Sequence, residues 1–370
     1  MLRPRTFSTL RIAGGLGAAV LLCGLCSLSP GQNTPPPESV AADQSKIPET
    51  CFYPAPPAGV DPSTLSDAAL AQYGFPPRPD AQSAPELYSR WRRLVSTPQT
   101  RIANPKLQLS TLANGPAKNR QLGPAAGNIV STSSSNWSGY AIVSNSDTFK
   151  TNNTTVSAEY FVPIAQQAIG TCSSTWDWSF HWVGIDGWIS DDVLQAGTEA
   201  DASCSGGKTT PFYAAWYEWY PFFEVRIGGF GVSPGDLMGV EVWYTTKSPH
   251  GHAYLVNYST GHSTTIGFNP PSGTSLMGDS AEWIVERPTD NGSLTDLAHY
   301  EAAAFNYAYA YQGKKYFYPG GNPSGTTVYN ITMYCPPWTP DSGCSESKPI
   351  SYVKLYGDYT LWFYDENIAH

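Results

Sequence analysis

Apolar and aromatic residues in this chain fall into short runs at 137–143, 154–163, 178–185, 193–197, 212–221, 237–245, 252–258, 263–268, 282–286 and 352–356, each rich in Val, Ile, Thr, Tyr or Trp. Clusters of Gly, Ser, Asn and Pro separate them, and β-branched or aromatic runs punctuated by turn residues predict strands rather than amphipathic helices. Many short strands with no repeat of fixed period predict an all-β fold, a two-sheet antiparallel β-sandwich of the jelly-roll or concanavalin-like kind. Alternation along a strand then assigns faces. Glu282, Ile284 and Glu286 share one side while Trp283 and Val285 share the other, and Trp216, Glu218 and Tyr220 likewise share a side. Before residue 130 only 68–94 has a pattern capable of helix.

Charge divides the chain. Residues 1–130 hold 12 Lys and Arg against 7 Asp and Glu, a net of +5, whereas residues 131–370 hold 9 against 23, a net of −14. At the start, Arg3, Arg5 and Arg11 precede an apolar run over 12–28, the basic and apolar regions of an export signal. The expectation is a signal peptide over 1–30, a basic Pro-rich pro-segment or linker over 31–130, and a β-sandwich domain over 131–370. The protein is then secreted, monomeric and free of stable membrane association after processing. Arg90, Arg92, Arg93, Arg101, Lys106, Lys118 and Arg120 would hold the leader on the acidic body by charge and let it go as acid neutralises the carboxylates. The prolines of 35–37, 54–57 and 76–79 fit a plain spacer instead. The body has no basic stripe, which argues against nucleic acid as a partner. With few cations present, few of its carboxylates can be ion-paired, which suits a low working pH. Cys172 with Cys204 and Cys335 with Cys344 fit two bridges of an oxidising compartment, other pairings staying open, and Cys51 is left over in the leader.

The common hydrolytic motifs are missing: there is no Gly-x-Ser-x-Gly elbow and no His-Glu-x-x-His helix. A pepsin-like site needs two Asp-Thr/Ser-Gly loops, and the chain has one Asp-Ser-Gly, at 341–343. His250 and His252 lack nearby carboxylate or thiol partners in sequence, so neither a metal nor a cofactor is expected. What remains is Gln195, inside an apolar strand, and the acids Glu282 and Glu286. Two acids on one strand face are costly in a core and cheap on the floor of an open cleft.

The blocks Ser135-Asn136-Trp137-Ser138-Gly139, Trp182-Val183-Gly184-Ile185-Asp186-Gly187, Leu194-Gln195-Ala196-Gly197, Ala215-Trp216-Tyr217-Glu218-Trp219-Tyr220-Pro221 and Ala281-Glu282-Trp283-Ile284-Val285-Glu286 resemble, in this order, those of the glutamic peptidases, the eqolisin family. The resemblance covers about residues 133–305. It implies an acid-acting endopeptidase on a β-sandwich, with protein or peptide substrates, a basic pro-segment and a Gln/Glu dyad. Position by position, the catalytic Gln falls on Gln195 and the catalytic Glu on Glu286. Trp137, Asp186, Trp216 and Glu218 fall on positions that line or support the cleft, with Glu282 a further supporting acid. The chain departs from the family pattern in Arg287-Pro288 after the catalytic Glu and in a long Tyr- and Gly-rich tail over 308–370.

In the implied mechanism ionised Glu286 takes a proton from a water, the Gln195 amide donates to the oxyanion, and Glu286 returns the proton to the leaving nitrogen. Acid action follows if Glu286 keeps a pKa near the reference of ~4.3. Two alternatives use the same residue types. A β-jelly-roll glycoside hydrolase needs a carboxyl pair ~5 to 10 Å apart, whereas four strand residues separate Glu282 from Glu286 by ~13 Å of backbone. A non-catalytic carbohydrate-binding protein would use the Tyr-rich 307–318.

Overall fold

The computed structural model describes residues 36, 39–41, 43–97, 99–126, 128–146, 148–321, 324–335 and 349–366. The expected signal peptide, the Asp-Ser-Gly at 341–343 and Cys344 lie outside the described residues.

Thirteen strands build the sandwich: β1 (Trp137–Ser144), β2 (Thr154–Phe161), β3 (Phe180–Ile185), β4 (Val193–Ser205), β5 (Lys208–Tyr220), β6 (Leu237–Tyr244), β7 (Gly251–Asn257), β8 (His262–Phe268), β9 (Ser280–Glu286), β10 (Ala302–Gln312), β11 (Thr326–Tyr334), β12 (Pro349–Tyr356) and β13 (Thr360–Asp365). A front sheet runs β5-β4-β3-β9-β1-β11 and a back sheet runs β8-β7-β6-β2-β10-β13, all these neighbours antiparallel, and Ile129–Ser134 adds to β11 in parallel. β12 pairs with β11 on one side and β13 on the other, so it joins the two sheets. The tail over 308–370, unusual in sequence, therefore supplies strands to both layers.

Alternation does the sorting. Val183, Ile185, Leu194, Ala196, Tyr217, Trp219, Trp283 and Val285 of the front sheet meet Val156, Tyr160, Val240, Leu255, Ile266 and Phe305 of the back sheet in one buried core. The residues between them, Trp137, Phe180, Trp182, Trp216 and Ile284, form a second buried cluster on the outer face of the front sheet. β4 and β5 are a single long hairpin whose two-residue turn, Gly206-Gly207, has φ of 59° and 77°. Only glycine adopts that pair of left-handed conformations at no steric cost, and the turn fixes the register that places Gln195 opposite Glu218. A Cys172–Cys204 disulfide ties the hairpin to the preceding loop. Cys335 is also disulfide-bonded and Cys51 is free and exposed.

Described residues between 39 and 120 pack against both outer faces of this sandwich, whereas Gln121–Ala126 is exposed and pairs with Ile129–Ser134. The helical stretch is broken by Pro76, Pro77 and Pro79 into α1 (Asp67–Gln72), capped by Ser66, and α2 (Pro85–Ser96), which carries Pro85 at its first turn where a missing N–H costs nothing. α2 buries Leu87, Arg90, Trp91, Leu94 and Val95, a stripe at helical spacing. Trp91 and Leu94, with Leu70 and Phe75, pack on Trp243, Tyr254 and Val256 of the back sheet. Arg90 reaches Glu241 and lies 3.3 Å from Glu159, which Arg93 also meets at 2.6 Å. Short strands complete the attachment: Thr50–Phe52 and Thr100–Arg101 pair with β8, and Lys106–Leu109 pairs with Val225–Gly228, itself paired with β5. Among the described residues no helix is long and apolar enough to cross a membrane.

Charge plays a smaller part in this attachment than the sequence suggests. Among the described residues, Arg90 and Arg93 are the two of the seven expected cations in direct ion pairs with body carboxylates. Arg101 instead bonds the Tyr73 carbonyl and the Thr265 hydroxyl and lies over the Phe75 ring, while Arg120 bonds the Trp188 carbonyl and lies over its indole. Burial pushes the Glu241 carboxyl up to about 7 against the pull of Arg90. Apolar contact carries the attachment. Replacing the buried indole in Trp91→Ala is expected to cost about 3–5 kcal/mol. Limited proteolysis of the native protein should then cut within α2, while the wild-type helix stays protected.

Candidate active site

The outer face of the front sheet brings the predicted residues together. Glu286 ends β9 opposite Trp137 of β1 and Phe180 of β3, and Gln195 lies in β4 opposite Gly184 of β3 and Glu218 of β5. All point away from the core, as alternation requires. Gly184 keeps the floor flat: a Cβ there would stand 2.8 Å from the Trp182 ring, which lies across the sheet toward Glu286. Trp182 Nε1 donates to Glu286 Oε2 at 3.1 Å, and Asn136 Nδ2 donates to Oε1 at 3.0 Å. Trp137 stands edge-on to Trp182 with ring centres 5.0 Å apart, and Trp216 stands edge-on to Phe180 at 5.2 Å. These aromatic walls set the rotamers of the polar groups between them.

Asp186 and Glu282 have other places. Asp186, at φ 76°, accepts the backbone N–H groups of Met277, Gly278 and Asp279 at 2.7, 3.0 and 2.7 Å. It clamps the turn that delivers β9 and so positions Glu286 from behind. Glu282 shares the Gln195 row through Gly184 but is enclosed near Asp186, Asp192 and Asp279. Arg287, the departure next to Glu286, turns away: its guanidinium bonds the Ser135 and Thr295 carbonyls at 2.9 and 3.3 Å.

The expected open cleft is covered. Gln195 and Glu282 are 0% exposed, and Glu218 and Glu286 1%, and residues 112–118 lie along the face over Gln195, Glu218 and Asn136. The Gln195 side-chain N–H donates to the Asn114 carbonyl. The Asn114 backbone N–H and side-chain amide donate to Glu218 Oε2 at 3.0 and 3.1 Å. Asn136 Nδ2 also reaches the Pro116 carbonyl at 3.2 Å and the Gly115 carbonyl at 3.4 Å, and its Oδ1 accepts from Lys118 N at 2.8 Å. Asn136 and Trp182 are the functional side chains that pattern reading did not single out, although both sit in the blocks quoted above. Asn114 gives no local signal, since its partners lie 81 and 104 residues away.

Burial raises the Glu286 pKa well above the usual carboxylate value, opposed by the Asn136 hydrogen bond. Burial raises Glu218 as well, and the Glu286 charge adds to the rise. These two belong to a wider set. Asp186, Asp201, Glu224 and Glu282 are raised chiefly by burial, Asp192 to about 6 and Glu241 to about 7. A carboxyl with a raised folded-state pKa favours folding at low pH, and its contribution is lost as pH climbs through the raised value. His181 and His252, pushed by burial down to about 3 and about 4, act in the opposite sense as pH falls below ~6.5. Eight acids outweigh two histidines. Calorimetry should therefore find a higher thermal midpoint near pH ~4.5 than near pH ~7.5, with most of the change between the ordinary carboxylate range and neutrality.

Comparison with known proteins follows the same residues. The family model described as Peptidase A4 matches residues 135–342. Aspergillopepsin-2 of Aspergillus niger is 31% identical over 229 residues, 60% of this chain and 78% of that protein. Scytalidopepsin B of Scytalidium lignicola is 35% identical over 156 residues, 42% of this chain and 52% of that protein. Among solved structures, scytalido-glutamic peptidase with a transition state analog inhibitor is 27% identical, with 62% of this chain and 98% of that chain covered and a TM-score of 0.46.

Proposed function

The chain belongs to the peptidase A4 family and is a peptidase, and we propose that it is a secreted, acid-acting endopeptidase whose reacting pair is Glu286 and Gln195. One observation carries this reading. The Gln195 amide already donates to a peptide carbonyl, that of Asn114, and two residues further along the same segment Asn136 links the Pro116 carbonyl to the Glu286 carboxyl. The pair stands on either side of a bound polypeptide backbone.

In that geometry Glu286, ionised, is the general base for a water, and Gln195 supplies the fixed donor to the oxyanion. Trp182 and Asn136, each bonded to one Glu286 oxygen, hold the carboxyl in place. Entry of a water beside Glu286 solvates its charge and draws its pKa back down toward the usual carboxylate range. A charged Glu286 makes a proton on Glu218, on the same face, harder to lose. Loss of that proton toward neutrality closes the working range from above. The export-like start of the sequence and the Cys172–Cys204 bridge support secretion. The basic, Pro-rich stretch ahead of the sandwich fits a pro-segment behind a signal peptide.

The pair is tested by substitution. Glu286→Gln and Gln195→Ala should each lower hydrolysis of a denatured protein at acid pH by at least ~100-fold, the scale of losing a base or an oxyanion donor. Glu282→Gln should change it little, because an enclosed acid with a raised pKa is already protonated and the amide has its shape. Activity should also persist with pepstatin-type inhibitors and with chelators. A Glu286→Gln protein that digests at the wild-type rate would sink the assignment.

A further inference from the structure

The leader segment over the active site is held as a peptide substrate would be, on both sides of one bond. We propose that Asn114–Gly115 is the bond this enzyme cuts in its own chain, and that the same contacts select an amide-bearing residue before the scissile bond and glycine after it. This rests on Glu286 and Gln195 being the reacting pair.

Backbone contacts fix the register. On the N-terminal side the Leu112 carbonyl accepts from Glu224 N at 3.0 Å, Leu112–Ala113 pairs with Thr289–Asp290, and the Ala113 carbonyl accepts from Thr289 Oγ1 at 3.3 Å. On the C-terminal side Ala117 N donates to the Gly187 carbonyl at 3.1 Å. An added extended segment recognised along its backbone is the usual way a sheet protein takes a peptide. Within the segment only the Asn114 carbonyl meets the Gln195 donor, and that makes Asn114–Gly115 the polarised bond.

Side chains define the neighbouring subsites. Leu112 is fully buried among Trp137, Trp182 and Trp216 in the aromatic cluster. The Asn114 side-chain amide donates to Glu218 Oε2 at 3.1 Å, and Asn114 is itself fully buried. An aliphatic side chain there would leave the enclosed carboxyl with the backbone N–H of this residue as its remaining donor from the segment. At Gly115 a Cβ would stand 3.0 Å from the Tyr220 ring, so a larger residue must displace that ring.

Hydrolysis balances with one water. Its oxygen bonds to the Asn114 carbonyl carbon as Glu286 takes one proton. The carbon–nitrogen bond then breaks with Glu286 passing that proton to the Gly115 nitrogen, leaving a carboxyl on Asn114 and an amine on Gly115. Cutting, and not charge neutralisation, is then the event that opens the face.

The test uses the full chain. Purified precursor is incubated between pH ~3 and ~7, its products are read by intact mass, and the acid-treated protein is then given the synthetic peptide Leu-Ser-Thr-Leu-Ala-Asn-Gly-Pro-Ala-Lys-Asn-Arg, the sequence of residues 109–120. Cleavage between Asn and Gly in both, with the Glu286→Gln precursor intact, supports the proposal. Peptides carrying Asn114→Leu or Gly115→Val should be cut at least ~10-fold more slowly, the scale of one lost buried hydrogen bond or one steric clash. Digestion of an unrelated denatured protein without cleavage at Asn114–Gly115 overturns this inference and leaves the proposed pair standing. Cleavage at Gly115–Pro116 instead overturns the register. Cleavage of the Glu286→Gln precursor at Asn114–Gly115 shows a spontaneous reaction and overturns it too. No digestion of any substrate overturns the proposed function together with it.

Discussion

The structure depends on a front sheet that is apolar on both faces. Its inner face makes the sandwich core through Val183, Trp283 and Trp219, and its outer face presents Trp137, Trp182, Trp216 and Ile284. A two-sheet sandwich ordinarily needs one apolar face per sheet, because the other meets water. Here the second apolar face must be covered by something, and in this chain residues 112–118 cover it. Gln195 and Glu286 sit in that aromatic surface, and a dry, walled floor strengthens the electrostatic effect of a fixed donor such as the Gln195 amide. The same dryness makes the acids costly to ionise, and it ties the chemistry, the pH response and the need for a cover to one physical cause.

The acids are also scarcely paired with cations. Glu218 and Glu286 rely on Asn114, Asn136 and Trp182 for hydrogen bonds, and Asp186 relies on three backbone N–H groups. Neutral donors hold a carboxyl in position in either protonation state more evenly than an arginine would, since they add no charge of their own. Arg226, beside Glu199 and Glu224, and Arg90, beside Glu159 and Glu241, are buried exceptions among the described residues, and both stand away from the Gln195–Glu286 face.

Much of this was legible in the sequence where period-two alternation is strong. The runs at 178–185 and 282–286 gave strands, faces and the orientation of Glu282 and Glu286 directly, and the family blocks located Gln195. Three parts were not legible, each for a stated reason. β10 is built from Ala, Asn and Tyr and is interrupted by a bulge between Asn306 and Tyr309, with Tyr307 at φ 53°, so its alternation is out of phase. β4 continues past Gly197 through Glu199 and Asp201, polar residues that read as the end of a strand but are buried beside Arg226. The leader's crossing of the active site depends on partners 81 and 104 residues distant, and Asn114-Gly115-Pro116 reads locally as a turn.

The pairing of leader strands with the sandwich bears on what the body becomes without them. β12 closes one flank of the molecule by joining both sheets, but on the opposite flank β8 meets Thr50–Phe52 and Thr100–Arg101, and Val225–Gly228 meets Lys106–Leu109. Those leader strands occupy backbone N–H and C=O groups that would otherwise form an exposed margin, the kind of margin that templates association between copies. Thr50–Phe52, Thr100–Arg101 and Lys106–Leu109 thus keep these margins from pairing with another copy, and a body without them would rely on its high negative charge to stay apart from its neighbours.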